Sequence, residues 1–271
     1  MRTVLLVFFF SKVLADTTKY PRDEDIILLN DSYSRIVGGQ PARAGQFPYQ
    51  TAMYLFKSFT SNLASKCGGS LIHKKWIVTA GHCTTGKVRA RVYFGAKSLD
   101  KPDQNTQMMW VTGSSEIITN PQYDSNTLKN DIGLIRLPND VRITRFVQTI
   151  KMSINSANSY VGQYAVASGY GKTSDTQDTN DLRYVNLEVI SIEQCRRSWN
   201  VDDSQICVKT DNPPRQTCNG DSGGPLALIS NNQLIGITSF GAKSCTAGVP
   251  AVFTRLNTQK SFIQRTTRIQ F

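Results

Sequence analysis

Residues 220–226 read Gly220-Asp221-Ser222-Gly223-Gly224-Pro225-Leu226. A serine flanked by glycines sits on a backbone that can turn tightly, with amide N–H groups unshielded by side chains. That suits a nucleophile beside an oxyanion hole. Alone, a glycine-rich turn is as often an ordinary loop, so the weight falls on its partners. The chain has two histidines, His73 and His82, both N-terminal to Ser222. The α/β-hydrolase order, with histidine after serine, is therefore excluded. The subtilisin order places an aspartate first, yet no Asp or Glu lies between Ile36 and His82. The order histidine, aspartate, serine remains.

His82 closes the run Trp76-Ile77-Val78-Thr79-Ala80-Gly81-His82 and is followed by Cys83. An apolar strand delivers it to a turn that a neighbouring cysteine would pin. A lone histidine beside a strand is usually structural, but the serine downstream reverses that balance. His73, next to Lys74 and Lys75, reads as an exposed loop residue. For the acid, Asp131 opens Asp131-Ile-Gly-Leu-Ile-Arg-Leu137, apolar enough for a buried strand. A carboxylate there needs a partner. An imidazole N–H would serve, and the pair would hold the histidine in its useful tautomer. Asp124, Asp140 and Asp202 lie in polar stretches and read as surface caps.

Outward from these residues the pattern is β-rich. Short apolar or alternating runs recur at 50–55, 69–72, 76–79, 89–94, 132–137, 164–167, 182–190, 225–229 and 233–239, punctuated by Gly, Asn, Pro, Ser and Asp. Many short strands at this spacing predict an all-β barrel or sandwich. Periodicity does not separate one barrel from two, and 271 residues suit one large β domain or two small ones. One helix is expected from about Asn257 to Arg268, and a short helical turn near Ile192–Arg197.

The N-terminal region reads differently. Arg2, a nearly all-apolar run from Val4 to Leu14, and Ala15 form a signal-peptide pattern over 1–15. The run falls short of the roughly 20 residues a membrane span needs. Residues 16–35 hold the acidic run Asp23-Glu24-Asp25 and end at Arg35, before Ile36-Val37-Gly38-Gly39. A basic residue next to an apolar one is a plausible proteolytic cut; the alternative is a first strand folded into the body. Six cysteines follow, Cys67, Cys83, Cys195, Cys207, Cys218 and Cys245. An even set in a secreted chain implies three disulfides among the roughly 15 pairings possible. A zinc site is disfavoured, with two histidines and no CxxC or HExxH spacing. The net charge is +11, and residues 1–35 contribute none of it. Such a surface would favour acidic substrates or an anionic matrix, but no basic and aromatic cluster argues for nucleic acid.

From Ile36 onward the chain resembles the trypsin/chymotrypsin family. The residues that carry the resemblance are Arg35 before Ile36-Val-Gly-Gly39, CGGSLI at 67–72, WIVTAGHC at 76–83, NDIGLIRL at 130–137, GDSGGPL at 220–226 and SFG at 239–241. It departs at Gly81, where the family usually has Ala, at Phe240, and at Gly169-Tyr170-Gly171. The resemblance implies an all-β fold of two six-stranded antiparallel β-barrels with a C-terminal helix, over residues 36–271. It implies a signal peptide at 1–15 and an activation propeptide at 16–35. It makes His82, Asp131 and Ser222 the catalytic triad, with Gly220 and Ser222 N–H groups as the oxyanion hole. Cleavage after Arg35 would free the Ile36 amine to pair with Asp221. Ser239 would hydrogen-bond Asp131, and Ser239, Phe240 and Gly241 would line the substrate backbone. The disulfides would be Cys67–Cys83, Cys195–Cys207 and Cys218–Cys245. The loop 96–107 has no glutamate, so no calcium site of the family's kind is expected, and no other metal or cofactor. The three-bridge cysteine set is similar to that of invertebrate digestive members.

Specificity is where the resemblance is least direct. The pocket floor falls at Gln216, where trypsins place an aspartate; Gly241 and Ala251 would be its walls. An uncharged, open pocket implies a chymotrypsin-like preference for large apolar residues before the cut. A buried Gln wants hydrogen-bond partners, so a polar preference, or residual Lys/Arg cleavage, stays open. The partners implied are protein or peptide substrates, an activating trypsin-like protease, and serpin- or Kunitz-type inhibitors. No nucleic acid and no membrane anchor are expected, and the product is a secreted, extracellular monomer. The alternative from another class is a non-catalytic secreted binding protein.

Overall fold

The computed structural model describes residues 27–28, 39–154, 158–171, 180–210, 217, 220–242, 244 and 247–270. Among them the strands, numbered in chain order, fall into two sheets of eight. The first contains β3 (Gln50–Phe56), β4 (Leu63–His73), β5 (Trp76–Thr79), β6 (Arg89–Phe94), β7 (Gln107–Val111), β8 (Ile117–Thr119) and β9 (Gly133–Arg136). They pair antiparallel in the order β7-β6-β3-β4-β5-β9-β8. The two ends of this path, β7 and β8, are consecutive in sequence, joined through a single 3-10 turn at Ser114–Glu116. No pairing joins β7 to β8 among the described residues, so this sheet is a half-barrel where a closed six-stranded barrel was expected; hydrogen-bonded closure needs the two end strands side by side in register. The eighth strand, β1 (Ile27–Leu28), lies parallel on β4.

The second sheet closes fully. β11 (Tyr164–Gly169), β12 (Arg183–Ile190), β13 (Gln205–Val208), β14 (Pro225–Leu228), β15 (Gln233–Phe240) and β16 (Ala251–Arg255) form the ring β15-β14-β11-β12-β13-β16, and β16 pairs back onto β15. This is a six-stranded antiparallel barrel. Closure removes the open edges that a flat sheet would expose. β2 (Gln40–Pro41) adds to β12, and β10 (Lys151–Met152) runs parallel to β15.

Alternation explains which faces turn inward. In β3, Met53 and Leu55 join the core while Tyr54 and Phe56 point to the other side of the sheet. The second barrel is filled by Ala165, Ala167, Val185, Leu187, Val189, Ile206, Leu226, Ile235 and Phe253. Small alanines on β11 leave room for Leu226 and Phe253 opposite, as a tapered interior requires.

Two disulfides are formed, Cys67–Cys83 and Cys195–Cys207. The first ties β4 to a one-turn helix, α1 (Gly81–Thr84). The second ties β13 to α2 (Ile192–Cys195), which starts with a capping box: Ser191 Oγ accepts from Gln194 N–H at 3.2 Å, and Gln194 Oε1 accepts from Ser191 N–H at 3.1 Å. Cys218 and Cys245 lie outside the described residues.

The C-terminal helix, α3 (Lys260–Thr267), follows a 3-10 turn at Leu256–Gln259. Leu256, Phe262 and Ile263 enter the same apolar cluster as the first barrel. The last segment thus crosses back and clamps the two halves. No described helix is long and apolar enough to cross a membrane.

Candidate active site

The site lies where the two barrels meet, and it is assembled from the ends of strands. β5 is wholly buried and runs straight into α1. That places His82 at the seam, with its side chain 27% exposed. Asp131 stands two residues before β9, which starts at Gly133 rather than at Asp131 as the sequence pattern suggested, and it is completely buried. Its Oδ2 lies 2.8 Å from His82 Nδ1, and its Oδ1 accepts the His82 backbone N–H at 2.8 Å.

The second barrel completes the surroundings of this carboxylate. Ser239 Oγ donates to Asp131 Oδ2 at 2.6 Å. Thr254 Oγ1 donates to the Asp131 carbonyl at 2.8 Å. Ser239 reaches inward because the β15–β16 register shifts between Thr238 and Phe240. A bulge of this kind re-aims a side chain. Burial alone would raise the Asp131 carboxyl. The His82 imidazole beside it, and the hydrogen bonds from His82 and Ser239, outweigh that and hold it below the usual carboxylate range. The residue is thus kept ionised where no water reaches it.

Ser222 is almost fully buried on the turn before β14. Its carbonyl accepts the Gly68 N–H of β4 at 2.7 Å. Gly223 packs so closely on the end of β5 that an added Cβ would stand 2.1 Å from Thr79 Oγ1 and 3.0 Å from the Ala80 nitrogen. Gly220 and Gly223 both hold positive φ, +93° and +78°, which L side chains rarely adopt. The serine turn is therefore clipped against the end of the strand that leads to His82. Asp221 is completely buried, and its Oδ1 accepts Gly171 N–H at 3.0 Å.

Ala251 opens β16 beside Gly241, whose hypothetical Cβ would lie 4.0 Å from the Ala251 Cα. Phe240 stacks edge-on against Trp199 at 5.5 Å, and Trp199 Nε1 donates to the Pro250 carbonyl at 2.7 Å. These contacts fix the walls next to Gly241. Gln216, Arg35 and Ile36 lie outside the described residues. His73 ends β4, exposed, with Nδ1 accepting Lys75 N–H at 3.2 Å. Asp202 pairs with Lys129 at 2.7 Å on the surface. Thr254 and Gly169 also bear on the site; Thr254 carried no signal in the sequence, and Gly169 only its place in the departure at 169–171. Cys67, His82 and Cys83 lie close enough together to suggest a metal cluster, but the two sulfurs are bonded to each other.

Residues 36–263 match the trypsin family. Serine protease 1 of Drosophila melanogaster is 40% identical over 247 residues, covering 90% of this chain and 89% of the relative. Chymotrypsin-2 of Vespa crabro is 36% identical, covering 85% of this chain and 99% of the relative. Among solved structures, HL collagenase superposes with a TM-score of 0.78 at 32% identity, covering 87% of this chain and all of that one. The chain belongs to the trypsin family of serine endopeptidases.

Proposed function

We propose that this serine endopeptidase is a secreted precursor, activated at Arg35–Ile36, that hydrolyses peptide bonds by acyl transfer through His82, Asp131 and Ser222. The observation that carries the reading is the 2.8 Å contact between His82 Nδ1 and a fully buried, ionised Asp131. A buried carboxylate that takes the Nδ1–H of the imidazole fixes the tautomer in which Nε2 is the basic nitrogen. Ser222 attacks the substrate carbonyl and His82 takes its proton. Asp131 orients the imidazole and stabilises its charged form. The N–H groups of Gly220 and Ser222 hold the oxyanion. His82 then protonates the leaving amine, and water releases the acyl group.

Activation follows from Asp221. The cut at Arg35 would create an Ile36 amine able to enter the buried site of that carboxylate. A buried ion pair that forms only after cleavage works as a switch, because either charge alone is costly there. The signal-peptide pattern at 1–15, the two disulfides of the described residues and the extracellular habit of the family support secretion.

For specificity, Gln216 offers no charge to Lys or Arg, and the open side of Gly241 next to Ala251 admits a large ring. The reading is a chymotrypsin-like preference for Phe, Tyr, Leu or Met before the cut. The test is purified precursor cut with trypsin, the trypsin then inhibited, assayed on peptides that differ only at that residue, with Ser222→Ala as control. Cleavage after Phe, Tyr or Leu that vanishes in the control is the expected result. Cleavage only after Lys or Arg would overturn the pocket reading and leave the triad standing. No cleavage by a protein with the correct Ile36 terminus would overturn the catalytic reading.

A further inference from the structure

Residues 66–68 of β4 all reach the catalytic seam. Cys67 is bonded to Cys83, the neighbour of His82, and the Gly68 N–H donates to the Ser222 carbonyl at 2.7 Å. Lys66 stands two residues before Gly68, on the same face of the strand, and is half-buried. Its Nζ donates to the Tyr170 carbonyl, just past β11, at 2.7 Å and to Asn180 Oδ1, just before β12, at 2.6 Å. Asn180 Nδ2 in turn donates to Asp100 Oδ1 at 2.6 Å. An ammonium drawn partly out of water is costly unless it is bonded in this way. A strand position that needed only a strand former would not call for one.

The Tyr170 carbonyl and the Gly171 N–H are the two ends of one planar peptide group. Lys66 Nζ binds the carbonyl, and Asp221 Oδ1 accepts the N–H at 3.0 Å. Fixing one end of a rigid amide fixes the direction of the other. An ammonium on the carbonyl also polarises the amide, so its N–H binds a carboxylate more strongly. The peptide thereby carries the field of a half-buried cation to a carboxylate that is completely buried. Tyr170 is held a second time, by its hydroxyl, which donates to the Ala96 carbonyl at 2.5 Å. On the far side Gly220 packs on Gly171, where a Cβ on Gly220 would stand 3.0 Å from the Gly171 Cα. A shift of the 170–171 peptide therefore reaches the serine turn twice, through Gly220 and through Asp221.

We infer that Lys66 is a positioning residue for the reaction: through the Tyr170–Gly171 peptide it sets the place of Asp221, and so of the Gly220 and Ser222 N–H groups that take the oxyanion. Its catalytic part rests on the Ser222 reading above. The placement of the peptide belongs to the folded chain and is tested without catalysis.

In full-length precursor carrying Ser222→Ala, NMR follows hydrogen exchange of the Gly171 amide. The Val189 amide, which donates to the Gln163 carbonyl at 2.9 Å in the same barrel, is the reference. Adding Lys66→Met should speed exchange at Gly171 at least roughly tenfold relative to Val189. Lys66→Arg, which keeps a cationic donor, should restore most of the protection. Unchanged protection in Lys66→Met, or an equal acceleration at Val189 that marks general loosening, would overturn the proposal. So would a Lys66→Arg chain as unprotected as Lys66→Met. In the trypsin-cut enzyme with Ser222 intact, kcat is counted per active site titrated by the acyl-enzyme burst. Lys66→Met should lower it roughly tenfold with KM within about twofold, as for a contact that matters in the transition state. An unchanged kcat per titrated site would mean that Lys66 only braces the fold, and the proposal falls. If the cut enzyme is inactive with Lys66 in place, the catalytic reading falls instead, while the exchange rates still decide what Lys66 holds.

Discussion

Asp131 shows how one side chain is specified by several distant ones. Its two oxygens take the His82 backbone N–H, the His82 ring and the Ser239 hydroxyl, and its carbonyl takes Thr254. Replacing it by Asn keeps the shape but turns an acceptor into a donor, so the imidazole is held in the wrong tautomer. Asp131→Asn should lower kcat by roughly 10⁴-fold with little change in KM, as expected for an interaction made in the transition state. Steady-state kinetics on a peptide substrate decides this; a loss of less than tenfold would mean that the contact is structural.

At the scale of elements, the end of β11 shows why a strand is sometimes limited to one residue type. An alanine Cβ at Gly169 would fall 2.1 Å from Asp221 Oδ1 and 3.0 Å from its Cγ. The carboxylate would have to leave Gly171 N–H, and the serine turn that follows Asp221 would shift with it. Gly169→Ala should therefore destabilise the protein by about 1–3 kcal/mol, the cost of overpacking a filled site. The denaturant midpoint would fall at constant slope, and activity would fall with it. An unchanged midpoint would show that the turn adjusts freely. The same scale explains which strands were readable. The nine runs with clear apolar character all became strands. β7 begins Gln-Met-Met and is half exposed, and β13 and β16 are short runs in which a glutamine or an arginine points into hydrogen bonds. Their strand state comes from pairing with each other and with β6, which composition does not encode.

For the molecule as a whole, the two halves are joined by polar contacts as well as by apolar ones. Ser168 Oγ donates to Gln50 Oε1 at 2.7 Å, Tyr170 donates to the Ala96 carbonyl at 2.5 Å, and Asn120 donates to Gln259 at 3.0 Å. Several carboxylates depend on this assembly for their charge. Asp202 is held at about 2 by hydrogen bonds from Lys129 and then Ser204, and Asp131 lies below its ordinary value. A carboxyl depressed by folding contributes stability above its unfolded pKa of about 3.9 and loses it as pH falls through the folded value. Net charge is already +11 at neutral pH, and acid adds to it, so self-repulsion acts in the same direction. Thermal stability should hold near neutral pH and drop steeply between about pH 4 and 2. A melting temperature independent of pH across that window would contradict this.

The sequence by itself pointed to the candidate set His82, Asp131 and Ser222 and determined the β class. Only two histidines were available, both before the glycine-bound serine, and no acid preceded His82 after Ile36. Order along the chain was enough to leave one reading, because each catalytic role demands a particular side chain. The alternating runs were likewise enough for strands, since a period of two is local. Tertiary structure alone decided what lay between. That Ser239 bulges toward Asp131, that Thr254 caps its carbonyl, that Gly169 makes room for Asp221, and that one sheet closes into a barrel while the other stays a half-barrel are all decided between residues far apart in sequence. Side-chain period and residue type carry no record of which distant strand will arrive alongside. That depends on closing loops and burying polar groups together, which is a property of the whole chain.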